Sequence, residues 1–360
     1  MAPRSPALRR SALSAVVALA AGCGAATPAV DDGNFLSTLS PYGFFVGALA
    51  EQKPAASVIP YDVNAPLYSD GASKLRFVAL PPGGRMQYDS TERWKFPEGT
   101  TLIKTFYYPV DARDPARGRR LLETRLLAFS GGAWTSATYL WNDAQTEATH
   151  HLGGQAIAVD YIDGSGAAQS LTFQEPNSSQ CKECHLQDRQ IWPIGPRTEQ
   201  LNRLFDYGQG PENQLTHLDK AGLLDTSAVG GLPAPTSLAA MPDPSGGDTL
   251  ERRARSWLDA NCAHCHNRSG YAAATALRLE METTALVDLG VCRHPTACPS
   301  GCPGEFDVVP GDPEHSILYQ RIKSLDSKVK MPQLPLTTVD QFGVDLVGQW
   351  ITSLAAPACQ

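Results

Sequence analysis

The sequence predicts an α+β chain in which an N-terminal antiparallel β domain is followed by a mostly α-helical part. Three observations carry that expectation. Short segments rich in aromatic and β-branched residues, separated by turn signals, fill the stretch from about residue 61 to 173. After Cys181 the pattern changes to short helical runs joined by Pro and Gly loops. Glycine and proline, 31 and 28 of 360 residues, disfavour a bundle or coiled coil. With 42% hydrophobic and 19% charged residues the chain is too polar to be a multi-span membrane protein, and its formal charge of −7 offers no basic surface to nucleic acid.

Arg4, Arg9 and Arg10 precede an apolar run, Ala12 to Ala21, that has the length of a secretory signal core and is too short to span a bilayer. The run ends in Leu19-Ala20-Ala21-Gly22-Cys23, which resembles the bacterial lipoprotein processing box, with Ala20 where Leu is usual. Residues 1–22 are therefore expected to be an export signal, Cys23 a lipidated N-terminus, and 23–55 a tether to the membrane. An ordinary signal cleaved nearby is the competing reading. No acidic residue follows Cys23, which resembles an outer-membrane address and predicts a periplasmic location.

The β-rich domain is expected over 56–178, with strands near 75–80, 101–108, 121–129, 134–141, 156–161 and 169–173. Gly131-Gly132 and Asp163-Gly164 punctuate it, and a sheet, sandwich or partly closed barrel follows.

Nine cysteines carry the chemistry. Four fall in two copies of Cys-x-x-Cys-His: Cys181-Lys182-Glu183-Cys184-His185 and Cys262-Ala263-His264-Cys265-His266. Two thiols almost one helical turn apart can each add to a vinyl group of one haem, and the next residue then lies under the iron. The expectation is two covalently attached haem c groups, with Cys181, Cys184, Cys262 and Cys265 as thioether anchors and His185 and His266 as proximal iron ligands. A thioredoxin-like pair would not demand His after both copies, and a zinc ribbon would leave His185 and His266 unexplained. Cys292, Cys298, Cys302 and Cys359 remain, and in an oxidising compartment two disulfides of open connectivity are expected. A zinc site drawing on His294 is the alternative.

The helical part is expected to hold a first haem-binding region over 179–247 and a cytochrome c-like domain with the second haem over 248–357. Asp248-Thr249-Leu250-Glu251 signals a helix start running into Cys262, and Thr338 to Gln341 starts another whose Phe342, Leu346, Trp350 and Leu354 recur every four residues. Each segment follows a Met-Pro, Met241-Pro242 and Met331-Pro332, so a decayed internal repeat is conceivable. A distal thioether raises haem potential and blocks small ligands. Met331, in a Pro-flanked loop before the last helix, is the expected distal ligand of the second haem. For the first, Met241 is the candidate, with His217 or an open iron as alternatives.

A resemblance now becomes specific. Tyr61-Asp62-Val63-Asn64-Ala65-Pro66-Leu67-Tyr68-Ser69-Asp70, the run 96–106, Leu121-Leu122-Glu123-Thr124-Arg125-Leu126, Trp141-Asn142-Asp143-Ala144-Gln145-Thr146, Pro193-Ile194-Gly195-Pro196 and 252–266 resemble an uncharacterised bacterial family of exported diheme c-type cytochromes, over about residues 60–355. The resemblance implies electron transfer with no known substrate. A weaker one concerns Phe96-Pro97-x-Gly99 leading into a strand with Lys104, which is similar to the β-sheet cytochromes related to cytochrome c-prime beta. Some relatives of those proteins cross-link a lysine to the haem, and by that analogy Lys104 approaches the first haem.

The leading functional expectation is a lipid-anchored periplasmic electron carrier that exchanges electrons with a redox protein partner. Its alternatives are an enzyme resembling diheme peroxidases, with His150, His151, Glu183 or His217 as nominated acid/base groups, and a gas or redox sensor using an open first haem.

Overall fold

A computed structural model describes residues 34–296, 304–355 and 359. Cys23, Cys298 and Cys302, and with them the signal, the lipid anchor and one expected disulfide, lie outside the described residues. The strands are β1 (Val58–Tyr61), β2 (Ser73–Ala79), the two-residue β3 (Met86–Gln87), β4 (Thr101–Pro109), β5 (Arg119–Ser130), β6 (Ala133–Trp141), β7 (Ala148–His151), β8 (Ala156–Ile162) and β9 (Ala168–Gln174). Six of them form one antiparallel sheet in the order β1-β2-β4-β5-β6-β7, and β8 pairs with β9 as a separate hairpin.

Strand alternation gives the sheet two unlike faces. On one, Phe77, Ile103, Leu126 and Tyr139 pack under the preceding segment through Leu39, Tyr42 and Phe44. On the other, Val78, Leu102 and Trp134 are covered by Leu201, Leu215, Leu218 and Leu224 from the segment after the hairpin. Two residues further along this second face the apolar pattern stops, and Arg76, Lys104, Arg125 and Thr138 stand in one cross-strand row.

The helices are short: α1 (Ser178–His185), α2 (Thr198–Leu201), α3 (Gln214–Lys220), α4 (Leu250–Leu258), α5 (Ile317–Ile322) and α6 (Gln341–Ser353). Thr249 caps α4, its hydroxyl accepting from the Arg252 amide at 3.4 Å, and Asp340 caps α6 through the Gly343 amide at 3.1 Å. These two helices cross through Trp257, Leu258, Val347, Trp350 and Ile351 to make a second core. Of the row expected along α6, Leu346 and Trp350 are buried, whereas Phe342 is 45% exposed.

The expected fold class is overturned. Strand accounts for 27% of the chain and helix for 22%, so the molecule is mostly antiparallel sheet and the part after residue 178 is not a mostly α-helical, cytochrome c-like unit. The helical runs last only four to thirteen residues, too short to stand without tertiary packing. Much of 179–247 instead lies as loops and two- or three-residue strands, and its leucines complete the core of the sheet. Among the described residues no helix is long and apolar enough to cross a membrane.

Candidate functional site

The first Cys-x-x-Cys-His motif forms α1. Asn177 starts it with a reciprocal capping box, accepting from the Ser179 and Gln180 amides at 3.0 Å each while the Gln180 side chain accepts from its own amide at 2.9 Å. The second motif follows α4, where the backbone widens to a π turn over Asp259–Ala263. Such a turn offsets the side chains that follow it and is frequent at functional sites.

Each motif opens on its own cavity. A cavity of about 220 Å³ lies between α1 and the second face of the sheet, with Cys181, Cys184 and His185 on one wall and Arg76, Lys104 and Arg125 on the other. The other, of about 320 Å³, is walled by Cys262, Cys265, His266, Leu279, Leu318 and Met331. Cys184 stands in both walls, and Glu183 also reaches the second.

The histidines are held by the same device. His185 Nδ1 donates to the Trp192 carbonyl at 2.8 Å. His266 Nδ1 lies 3.3 Å from Thr275 Oγ1, whose one proton goes to the Ala272 carbonyl at 2.8 Å, so the ring nitrogen is the donor there too. Fixing the proton on Nδ1 leaves Nε2 bare to ligate a metal. Burial, then the Lys104 charge, pulls His185 down to about 3, and burial, then His264, pulls His266 down to about 4. Both rings are therefore neutral at pH 7.

The thiols behave in the opposite sense from a redox-active Cys-x-x-Cys pair, whose nucleophilic thiolate needs a depressed pKa. Burial pushes Cys181 up and Cys262 up to about 12, while a hydrogen bond with Cys265, together with burial, pushes Cys184 up. The two motifs meet at their second cysteines. Cys265 Sγ donates to the Glu183 carbonyl at 3.1 Å, and the Cys184, Cys265 and His264 ligand atoms lie within 4.8 Å of one another. That trio could hold a metal ion, and the His264 Nδ1 has no hydrogen-bond partner among the described residues. It supplies three donors among the described residues, whereas a closed structural zinc site takes four. Cys181 and Cys262 are not in the trio; they line separate cavities, as two separate haem attachments require. The donor set thus fits one covalently held haem per cavity.

Met331 lines the second cavity, in a loop pinned by its amide donating to the Arg321 carbonyl at 2.9 Å. Met241 does not line the first cavity. It is 3% exposed and packs with Ala65 and Ala260, its amide donating to the Glu199 carbonyl at 2.8 Å. Nor does His217, which stacks on Tyr207 at 3.5 Å and pairs with Glu212 at 3.1 Å. Of the nominated acid/base groups, His150 stacks on Tyr139, His151 pairs with buried Glu175 at 3.0 Å, and Glu183 sits beside the second cavity. Lys104, by contrast, is on the wall across from His185. Burial, then Arg125 and Arg76 beside it, pulls its ammonium down to about 7.

Cys292 and Cys359 form a disulfide. It ties the loop after the second cavity to the chain end. His294 stacks beside Phe306, with Nδ1 3.2 Å from the Glu305 carbonyl.

Arg76, Arg125 and His264 are the residues that sequence reasoning passed over. The signal for Arg125 was present: Glu123 and Arg125 stand two apart between the apolar pairs Leu121-Leu122 and Leu126-Leu127 of one strand, which puts both on one face. His264 carried none beyond its place inside the motif. No family model, curated protein or solved structure matches the chain.

Proposed function

We propose that this chain is an exported diheme c-type electron-transfer protein, anchored to a membrane through a lipid on Cys23 and exchanging electrons with a redox protein partner. The observation that carries the reading is the repeated arrangement of a Cys-x-x-Cys-His motif on the wall of its own cavity with the histidine Nδ1 committed to an acceptor. The resemblance of 61–70, 121–126 and 252–266 to exported diheme cytochromes points the same way. Bound haem supplies a one-electron iron couple; the chain contributes thioether anchors at Cys181, Cys184, Cys262 and Cys265, ligand nitrogens at His185 and His266, and a thioether at Met331 that fills the second site against small molecules. The near contact of Cys184 and Cys265 brings the two attachment points together, as electron exchange between the centres requires. Denaturing gels stained for haem test this. Cys181→Ala and Cys262→Ala should each lose one of two haems, and an unchanged signal in either removes that haem.

A second reading rests on the first cavity, on whose walls, among the described residues, His185 is the one histidine and there is no methionine. An open iron there makes a small-molecule redox enzyme, such as a diheme peroxidase, or a gas sensor. Adding peroxide to the fully reduced protein separates the cases: rapid reoxidation with turnover marks the enzyme and slow bleaching the carrier.

A further inference from the structure

We propose that the first cavity is an anion site, in which Lys104 binds a carboxylate or small oxyanion. The argument starts from register. Arg76 is paired directly with Lys104, and Lys104 with Arg125, so three cations stand side by side on adjacent strands, and all three line the cavity. Like charges directly opposite one another destabilise a sheet unless something of opposite sign meets them.

The chain answers two of the three. Arg76 pairs with Asp62 at 2.9 Å, and Arg125 pairs with Glu123, which is wholly buried. Asp62 is also shared with Arg203 at 3.0 Å, so it is not spare. The ammonium of Lys104 has neither an ion pair nor a hydrogen bond among the described residues; its contact is the Phe106 ring at 5.3 Å. Glu123 also acts on Lys104 through space, but its ion pair is with Arg125. Lys74, one row away, is a further cation that donates to the Leu67 carbonyl at 2.8 Å. Asp70, also on the cavity wall, has one carboxylate oxygen taken by the Thr337 and Thr338 amides at 2.9 and 2.8 Å and by the Thr338 hydroxyl at 2.9 Å.

Lys104 is half-buried and has no ion pair among the described residues, so it is costly to hold charged, and an anion from outside the chain would offset that cost. The flanking guanidiniums add planar donors suited to a carboxylate or oxyanion. The ligand has two sources of the same chemistry: a propionate of a haem attached at Cys181 and Cys184, or a free small anion held beside His185. The inference rests on the sheet and holds whether or not haem is attached.

Full-length protein purified from exporting cells is titrated with nitrite and with acetate by calorimetry, alongside Lys104→Gln and Lys104→Arg. Haem-propionate bands are followed by resonance Raman. A charge-assisted hydrogen bond of about 1.5–3 kcal/mol makes binding roughly 10- to 150-fold weaker in Lys104→Gln. That loss, with binding retained in Lys104→Arg, identifies a free anion. No binding in wild type together with a shifted propionate band in Lys104→Gln identifies the haem carboxylate. Equal binding by wild type and Lys104→Gln overturns the proposal, as does an absence of both binding and a band shift. Haem content is read from the same samples, so a chain without haem fails the proposed function while the calorimetric arm still decides the anion site.

Discussion

Gly343→Ala sets two physical effects against each other with opposite signs. Gly343 is the third residue of α6, and inside a helix Ala is favoured over Gly by up to about 1 kcal/mol, so propensity alone makes the variant more stable. Packing says otherwise. A Cβ on Gly343 would lie 2.2, 2.3 and 2.5 Å from Cε2, Cζ2 and Nε1 of Trp257, more than 1 Å inside the ~3.5 Å at which carbon atoms rest. The indole cannot swing aside freely, because its Nε1 donates to Asp340 Oδ2 at 2.8 Å and the other oxygen of Asp340 caps α6. Relief requires α4 and α6 to part or the indole to lose its acceptor. Overpacking costs about 1–3 kcal/mol and a stranded indole N–H about 1–3 more. Net of the propensity gain, a loss of roughly 1–5 kcal/mol is expected, or several degrees in Tm for a chain of this size. Thermal melts of wild type, Gly343→Ala and Gly348→Ala measure it, the last as a milder case because its added Cβ meets only the ring of Tyr319, at 2.9 Å. A Gly343→Ala variant as stable as wild type, or more stable, refutes the contact between α4 and α6. Since α4 runs directly into the π turn carrying Cys262, the same contact sets where the second motif points.

The methionines should separate by spectrum and stability. Met331→Ala is expected to abolish the thioether-to-iron absorption band with little change in folding, whereas Met241→Ala leaves the spectrum alone and costs about 2–5 kcal/mol as a cavity in a closed core; a Met241-dependent band would overturn this assignment. Glu175, 1% exposed, is pushed by burial from the ordinary 4.5 up to about 7, so between those pH values the unfolded chain ionises while the folded chain does not. Its contribution to stability is present below pH 4.5 and lost as pH rises through 7, by at most roughly 3 kcal/mol. Glu175→Gln should accordingly gain on wild type between pH 4.5 and 7.5 in denaturant titrations, and a constant difference across that range would contradict the burial argument.

What could be read from the sequence was what depends on near neighbours. The two Cys-x-x-Cys-His motifs, the start of α4 and the strand segments around residues 101–141 are local patterns, and each has a counterpart in the structure. The fold class failed because it depends on what short helices pack against. Leu201, Leu215 and Leu218 sit on short helices, but their partners are Val78, Leu102 and Trp134, more than sixty residues away in the chain. Met241 is not on the wall of the first cavity for a related reason: a Met-Pro before a loop gives no distance, and the hydrogen bond from its amide to the Glu199 carbonyl holds it packed against Ala65 and Ala260. Lys104 was named only through analogy. What distinguishes it is its register between Arg76 and Arg125, and pairing of strands is a long-range fact.

The segment 61–70 shows why the two cavities must be considered as one construction. Asp62 exchanges hydrogen bonds with the side chain of Gln214 at 2.8 and 2.9 Å, and Asn64 donates to the Glu199 carbonyl at 2.9 Å, holding the wall that closes the first cavity. A few residues on, the Tyr68 amide donates to Asn261 Oδ1 at 2.7 Å, next to Cys262, and Asp70 accepts from the Thr337 and Thr338 amides before α6. Arg197 adds a second tie, reaching Glu199 at 3.1 Å and Asp259 at 2.5 Å. The strap therefore ties the wall of the first cavity to the start of the second motif, and the two motifs meet directly where Cys265 Sγ donates to the Glu183 carbonyl. Fixed separation is what a pair of electron-transfer centres needs, because no domain motion then has to bring them together. It also gives the unlike walls a consequence. The second cavity presents a thioether and leucines, which suits a closed centre, while the first faces a row of cations on a rigid sheet, which suits a centre that meets an anion.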